Sequence, residues 1–391
     1  MRIVEIREAA VPLRGAEANA LVSFAGHTVS LVAVVTDAHR GGRPVTGVAF
    51  GSIGRFAQSG ILRDRMIPRV LAADPGTLLD ATCAAFDPAA VADAALTDEK
   101  PGGHGDRATA AAALELAVWD ANARLADEPA YATLARHFGR PLPEGAAPAV
   151  EAYAAGGYYY AEGSGRSLSA ELRRYQDMGF TSFKIKIGGA PLTADLARVE
   201  EALTVAGDGS ALAVDANGRF GTDDALRWAK ALRGYGLRWY EEPGDPLDYR
   251  LLADTAAVYP LPLATGENLF STADVRNLLR YGGLRQGTDL FQMDAGLSYG
   301  ATEYAAMLDL LEEHGFARTQ ARPHGGHLIN LHLVAALGAG GCEAYPGVFE
   351  PFGGYPGECL LGGGLVRPPQ TPGFGLELMP GLREEIAALT A

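Results

Sequence analysis

SFKIKIG (182–188), ALAVDANG (211–218), LRWYEEP (237–243) and LPLATGEN (261–268) are the four short apolar runs on which the reading of this chain turns. Each is too short for a helix and is rich in branched or aromatic residues. The stretches between the first three, TADLARVEEALTVAG (193–207) and TDDALRWAKALRGYG (222–236), carry an apolar stripe at helical period. A strand and a helix alternating in units of ~25–30 residues make the parallel crossover unit. The rhythm extends outward through AVEAYAAGG (149–157) on one side and TDLFQMDAG (288–296), FARTQARPHGG (316–326) and GGCEAYPG (340–347) on the other. Eight such strands predict a closed parallel α/β barrel of TIM type rather than an open sheet.

The ends of the chain read differently. RIVEIREAAVPL (2–13), HTVSLVAVVTD (27–37) and RPVTGVAFGS (43–52) read as strands, with DAHRGGRP and FGSIG as turns. SGILRDRMIPRVLAAD (59–74), DPAAVADAALTDE (87–99) and ATAAAALELAVWDANARLADE (108–128) read as helices. Strands followed by helices give an α+β domain over 1–137 and the barrel over 138–364. The segment 365–391 lacks the repeating pattern and is expected to pack back on the first domain.

Composition limits what this fold can be doing. The 391 residues are 48% hydrophobic with net charge −14, which disfavours nucleic acid or an anionic membrane as partner. No apolar run reaches the ~18 residues of a membrane span, and MRIVEIREAAVPL has no signal-like core. Three cysteines (Cys83, Cys342, Cys359) show no CxxC spacing and cannot all pair, which suits a reducing compartment. A cytoplasmic location, a homo-oligomer and a small-molecule substrate are the expectations. Only four of the 33 basic residues are lysine: Lys100, Lys184, Lys186 and Lys230. Arginine replaces lysine on a surface but not as a proton-transfer base. Base bias accounts for the arginine excess, but not for two surviving lysines two apart in one strand.

Active sites of such barrels lie at the C-terminal ends of the strands. Asp215, Glu241 and Glu267 stand there, each 26 residues after the last. One strand–helix unit later the chain returns to the same height, so the three carboxylates converge. A lone carboxylate in such a loop is read as a helix cap; three at equal spacing point to a divalent cation, and Mg²⁺ suits three hard oxygens. Lys184 and Lys186 share one strand face. Burial beside a metal is expected to lower both amines and make one a general base, the alternative being snorkelling rim charges. Asp294 ends the sixth strand and His324 the seventh, where a carboxylate would fix the imidazole tautomer and raise its pKa. His327 and His332 fall in the following helix and read as structural. No GxGxxG, Walker lysine, HExxH or nucleophile elbow competes; GHGDRA comes nearest to the first, but follows a polar segment.

In KIK (184–186), VDAN (214–217), YEEP (240–243), TGEN (265–268), MDAG (293–296) and RPHGGH (322–327), taken in order, the chain resembles the enolase superfamily and within it the mandelate racemase group. The resemblance covers nearly the whole chain. It implies a modified (β/α)7β barrel under an N-terminal α+β capping domain. It also implies Mg²⁺ on Asp215, Glu241 and Glu267, with Lys186 on one face of a bound carbon acid and the His324–Asp294 dyad on the other. Cycloisomerase-like and dipeptide-epimerase members carry a lysine where this chain has Asp294, and so match less well. Residues 19–37 and 98–108 are similar to the capping segments of D-tartrate dehydratases. That implies dehydration of a small hydroxy diacid, D-tartrate to oxaloacetate, with Lys184 and Mg²⁺ stabilising the developing anion. Asn19, Lys100, Tyr159, Asn217 and Glu343 are then the expected substrate contacts, Lys100 holding the distal carboxylate. The alternatives are another acid-sugar dehydratase or racemase of the group, or a non-catalytic relative that kept the fold.

Overall fold

Three strands, β1 (Ile3–Pro12), β2 (Thr28–Arg40) and β3 (Arg43–Phe50), form an antiparallel meander in that order. The structure, a computed structural model, describes residues 1–15, 17–102, 104–142, 148–160 and 166–391. β2 is buried on both faces through Val29, Leu31, Val32, Ala33 and Val34. The alanine-rich helix Gly105–Ala126 lies across β2 and β3. A Cβ on Gly47 of β3 would fall 2.1 Å from the Ala117 carbonyl oxygen, so small residues on both sides set this close approach.

Two buried carboxylates on that helix fasten the domain to the rest of the chain. Glu115 accepts from the backbone N–H groups of Ala301 (2.9 Å) and Thr302 (3.0 Å), at the start of the helix Ala301–Glu313. Asp120 accepts from Val48 (2.8 Å) in β3 and from Phe374 (2.6 Å) in the C-terminal segment. Each buried charge is satisfied by several donors, as burial of an ion requires.

The barrel runs β4 (Val150–Gly156), β5 (Phe183–Lys186), β6 (Leu212–Asp215), β7 (Tyr240–Glu241), β8 (Leu263–Thr265) and β9 (Leu290–Phe291), all parallel in chain order. β10 (Cys342–Ala344) returns beside β4. The expected seventh strand, FARTQARPHGG, is a correction: among the described residues its backbone meets the sixth only in a bridge at Ala321 and the bonds Arg322 N–H to Phe291 (2.7 Å) and His324 N–H to Gln292 (3.2 Å). Arg318–Gln320 form a 3₁₀ turn, Pro323 has no N–H to give, and Gly325 and Gly326 take positive φ, so no ladder extends there. The fold is thus a modified TIM barrel beneath an α+β cap.

The expected division at 364 splits a hairpin. β11 (Leu360–Gly362) and β12 (Leu365–Val366) pair with each other, and β12 adds antiparallel to β4. Only after that does the chain cross to the cap, where Arg7 Nη1 donates to the carbonyls of Leu389 (2.9 Å) and Ala391 (2.8 Å). No helix among the described residues is long and apolar enough to cross a membrane.

Candidate active site

Register brings the charged residues together. Lys186 on β5 pairs with Asp215 on β6, and Asp215 with Glu241 on β7, so the three form one row across the barrel mouth. Glu267 follows β8 after Gly266, whose φ of +123° is open to glycine and turns the chain at the strand end. One oxygen from each of Asp215, Glu241 and Glu267 lies within 4.8 Å of the other two.

The carboxylates are held from outside the ring. Asp215 Oδ2 accepts from Lys186 Nζ (2.5 Å) and Oδ1 from the Asn217 N–H (2.7 Å). Glu241 Oε1 accepts from Lys184 Nζ (2.6 Å), and Oε2 from Trp239 Nε1 (2.8 Å) and Gln292 Nε2 (2.7 Å). Glu267 Oε2 is buried with no hydrogen-bond partner. Burial, and then the neighbouring charge of Asp215, push Glu241 up to about 8. Burial acts on Asp215 in the same direction, but Lys186 and Lys184 hold it down at about 2. An orphaned buried oxygen and three crowded hard donors fit a divalent cation, which would relieve that repulsion.

Above the ring lies a cavity of about 300 Å³, lined from the barrel by Lys186, Glu267, His324 and Asn217 and from the cap by Asn19 and Arg55. His324 Nδ1 sits 3.2 Å from Asp294 Oδ2, and its Nε2 lies 3.8 Å from Glu267 Oε2. Burial alone would push the imidazole down; Glu267 and the bond to Asp294 outweigh it and carry it up to about 9. Asp294 is fixed in turn by Gly296 N–H (2.8 Å) and Asn330 Nδ2 (3.0 Å) on Oδ1.

Several expectations need correction. Lys100 is exposed and lies outside the cavity lining; its carbonyl accepts from Arg107. Gly103, in the same loop, lies outside the described residues. Tyr159 does not line the cavity either: its hydroxyl donates to Asp195 (2.8 Å) and accepts from the Gly189 N–H (2.9 Å), while its neighbour Tyr158 faces the cavity. Glu343 is fully buried between Lys184 Nζ (2.7 Å) and the Gly325 N–H (3.0 Å), below the cavity rather than on it. Lys184 is likewise below the cavity and 0% exposed. The expected lowering of the two amines presupposes the metal; among the carboxylates alone the balance runs the other way. Burial pushes each down, but Glu241 and Glu343 carry Lys184 well above its ordinary value, and Asp215 raises Lys186.

Asn19 lines the cavity with its Oδ1 spent on the N–H groups of Leu21 and Val22 (both 2.8 Å). His327 caps the helix Leu328–Leu337 rather than lying within it, and burial pushes it down to about 4. His332 lies inside that helix, where its Nδ1 accepts from the Tyr131 N–H (3.1 Å). Sequence reasoning missed Arg55, Asn268 and Tyr158. Asn268 donates to Glu242 (3.1 Å) and, more distantly, to Glu267 (3.5 Å), and its Oδ1 lies 3.5 Å from Arg55 Nη2. The available signals were the asparagine ending TGEN and the arginine that follows the turn FGSIG.

A capped parallel barrel with three mouth carboxylates, flanked by a strand lysine and a His–Asp pair, is the arrangement of metal-dependent carbon-acid enzymes. The sequence model of the family described as enolase C-terminal domain-like matches residues 167–382, and the chain belongs to the enolase superfamily. Among curated proteins it is 27% identical to arabinonate dehydratase of Saccharolobus solfataricus, over 70% of each chain. It is 30% identical to 3,6-anhydro-alpha-L-galactonate cycloisomerase of Streptomyces coelicolor, over 71% of this chain and 72% of that one. Among solved structures, L-talarate dehydratase from Polaromonas sp. JS666, complexed with Mg and L-glucarate, superposes with a TM-score of 0.70 at 22% identity, covering 97% of both chains.

Proposed function

We propose that the protein is a Mg²⁺-dependent acid-sugar dehydratase acting on a small hydroxy diacid. One observation carries the reading: Lys186 and the Asp294-bound His324 line the same cavity as Glu267 of the carboxylate ring. Asp215, Glu241 and Glu267 would hold Mg²⁺, which would supply the charge that acidifies the substrate α-proton. Lys186 takes that proton as its neutral amine, the form that the added positive charge of a bound cation would favour. Lys184, locked between Glu241 and Glu343, keeps positive charge beneath the reacting carboxylate. His324 protonates the departing 3-hydroxyl, so the C–H and C–O bonds break, water leaves and the resulting enol ketonises to a 2-keto acid. Arg55, reaching in from the cap, takes the place expected of Lys100 and holds the distal carboxylate.

The finer reading is D-tartrate to oxaloacetate, which rests on the similarity of the capping segments. A dehydratase relative and a structural neighbour holding Mg and L-glucarate support the broader class. The test is a panel of hydroxy mono- and diacids with Mg²⁺, scored for 2-keto acid. Keto acid from another diacid but not from D-tartrate overturns the finer reading. No keto acid from any member overturns the broader one.

A further inference from the structure

Behind His324 lies a chain of buried polar atoms that begins in the capping domain. Ser52, 1% exposed, follows β3 and anchors its backbone N–H to the Gly296 carbonyl (3.0 Å) beside Asp294. Its hydroxyl lies 3.0 Å from His327 Nε2. The three groups converge on one spot: a Cβ at Gly325 would fall 2.6 Å from Asp294 Oδ2, 2.7 Å from Ser52 Oγ and 2.9 Å from His327 Nε2. Gly325 has none, and its φ of +110° suits glycine, so the space stays open to the polar atoms.

The direction of the bonds follows from the donors available. His327 Nδ1 accepts from the Asn330 N–H (3.4 Å), which leaves its single proton on Nε2. Asn330 spends both Nδ2 hydrogens on Asp294 Oδ1 (3.0 Å) and the His324 carbonyl (2.5 Å), so its 3.5 Å approach to His327 Nε2 donates nothing. His327 Nε2–H therefore donates to Ser52, and the path to Asp294 runs on from His327 Nδ1 through Asn330, whose Nδ2 donates to Asp294 Oδ1. The same loop carries Ile53, Gly54 and Arg55 onto the cavity.

We propose that Ser52 is a positioning residue for the acid step: through His327, Asn330 and Asp294 it ties the orientation of His324 to the seating of the capping loop on the substrate. The inference rests on the reading of His324 as acid. Groups that orient such a residue typically change activity by about 10–100-fold when removed.

The test uses Mg²⁺-loaded enzyme carrying Ser52→Ala, and separately His327→Asn, which keeps a helix-capping side chain. The expected result is a fall of about tenfold or more in kcat for keto-acid formation. KM and Lys186-dependent exchange of the substrate α-proton with D₂O should stay within about twofold of wild type. An equal loss of exchange and elimination, a change confined to KM, or an unchanged kcat overturns the proposal. A second readout needs no turnover: the downfield Nδ1–H proton resonance of His324, assigned by its disappearance in His324→Asn. It should shift in Ser52→Ala, and an unshifted resonance overturns the proposal even where no substrate is found. Failure of the wild-type enzyme to dehydrate any acid counts against the proposed function instead, so the two failures are distinguishable.

Discussion

Asp294→Asn changes one atom and tests the proton inventory of the dyad. Asp294 Oδ1 accepts from Gly296 N–H (2.8 Å) and Asn330 Nδ2 (3.0 Å), and Oδ2 faces His324 Nδ1 (3.2 Å). With its amide nitrogen at the Oδ1 position, the new asparagine would strand two buried donors, each costing about 1–3 kcal/mol. With the nitrogen at Oδ2 it meets only His324, which relieves the conflict by moving its proton from Nδ1 to Nε2. The second arrangement wins by about 2 kcal/mol or more, roughly thirtyfold in population. His324 is then a neutral imidazole with its Nδ1 accepting. It has lost one of the three carboxylates, Glu267, Asp294 and Glu343, that carry it up to about 9, while burial still pushes it down. General-acid assistance is worth about 10²–10⁴-fold, and elimination should fall by that factor. Because the raised pKa keeps the imidazolium present only below it, the alkaline limb of the elimination profile should move to lower pH. α-Proton exchange with D₂O, which needs Lys186, should persist within a few-fold. Two charge-assisted hydrogen bonds become neutral ones, offset by removal of a buried charge, so the fold should change stability by no more than about 2 kcal/mol. Coupled keto-acid formation and NMR-detected exchange, run on one preparation, read both steps. Elimination within tenfold of wild type, or exchange lost as completely as elimination, would refute the reasoning.

Other outcomes follow from the same geometry. Lys186→Met should abolish both exchange and elimination, since Lys186 is the lysine on the cavity wall; exchange at the wild-type rate in that variant would reassign the base. Glu241→Gln turns an N–H toward Lys184 or toward Trp239 and Gln292, all of them donors; calorimetry should show Mg²⁺ Kd rising at least about tenfold, or 1.4 kcal/mol. Exhaustive chelation should remove activity, and Mg²⁺ should restore it. Arg55→Met removes a charge-assisted bond worth about 1.5–3 kcal/mol, so kcat/KM for a diacid should fall roughly 10–100-fold while a monoacid is little affected. Lys100→Met should leave kinetics within about twofold, because Lys100 lies outside the cavity lining; a large loss there would return the distal carboxylate to that loop.

The barrel was legible because its information is local and repeated. Each strand is a short apolar run, each helix carries its stripe, and the interval between Asp215, Glu241 and Glu267 measures one unit of the repeat. A shared strand face likewise paired Lys184 with Lys186 in sequence, but only the register put Lys186 against Asp215 and sank Lys184 onto Glu241 and Glu343. The seventh strand was overcalled because an extended, half-apolar segment does not say whether a neighbour can accept its ladder. Tyr158 and Tyr159 are adjacent and chemically alike; Asp195, 36 residues beyond Tyr159, takes the second hydroxyl, and the first ring is left to the cavity.

The sequence by itself determined the fold class, the cluster of three carboxylates, and the lysine and histidine at the mouth, since all of these follow from the period of the chain and the residue type at strand ends. Tertiary structure alone decided which cap residues reach the cavity. Arg55 and Ser52 come from a loop whose placement depends on the cap docking onto the barrel, through contacts such as Ser52 with Gly296 and Glu115 with Ala301. Partners distant in the chain and fixed by packing leave no periodic trace, whereas a repeating unit writes its geometry into its own spacing.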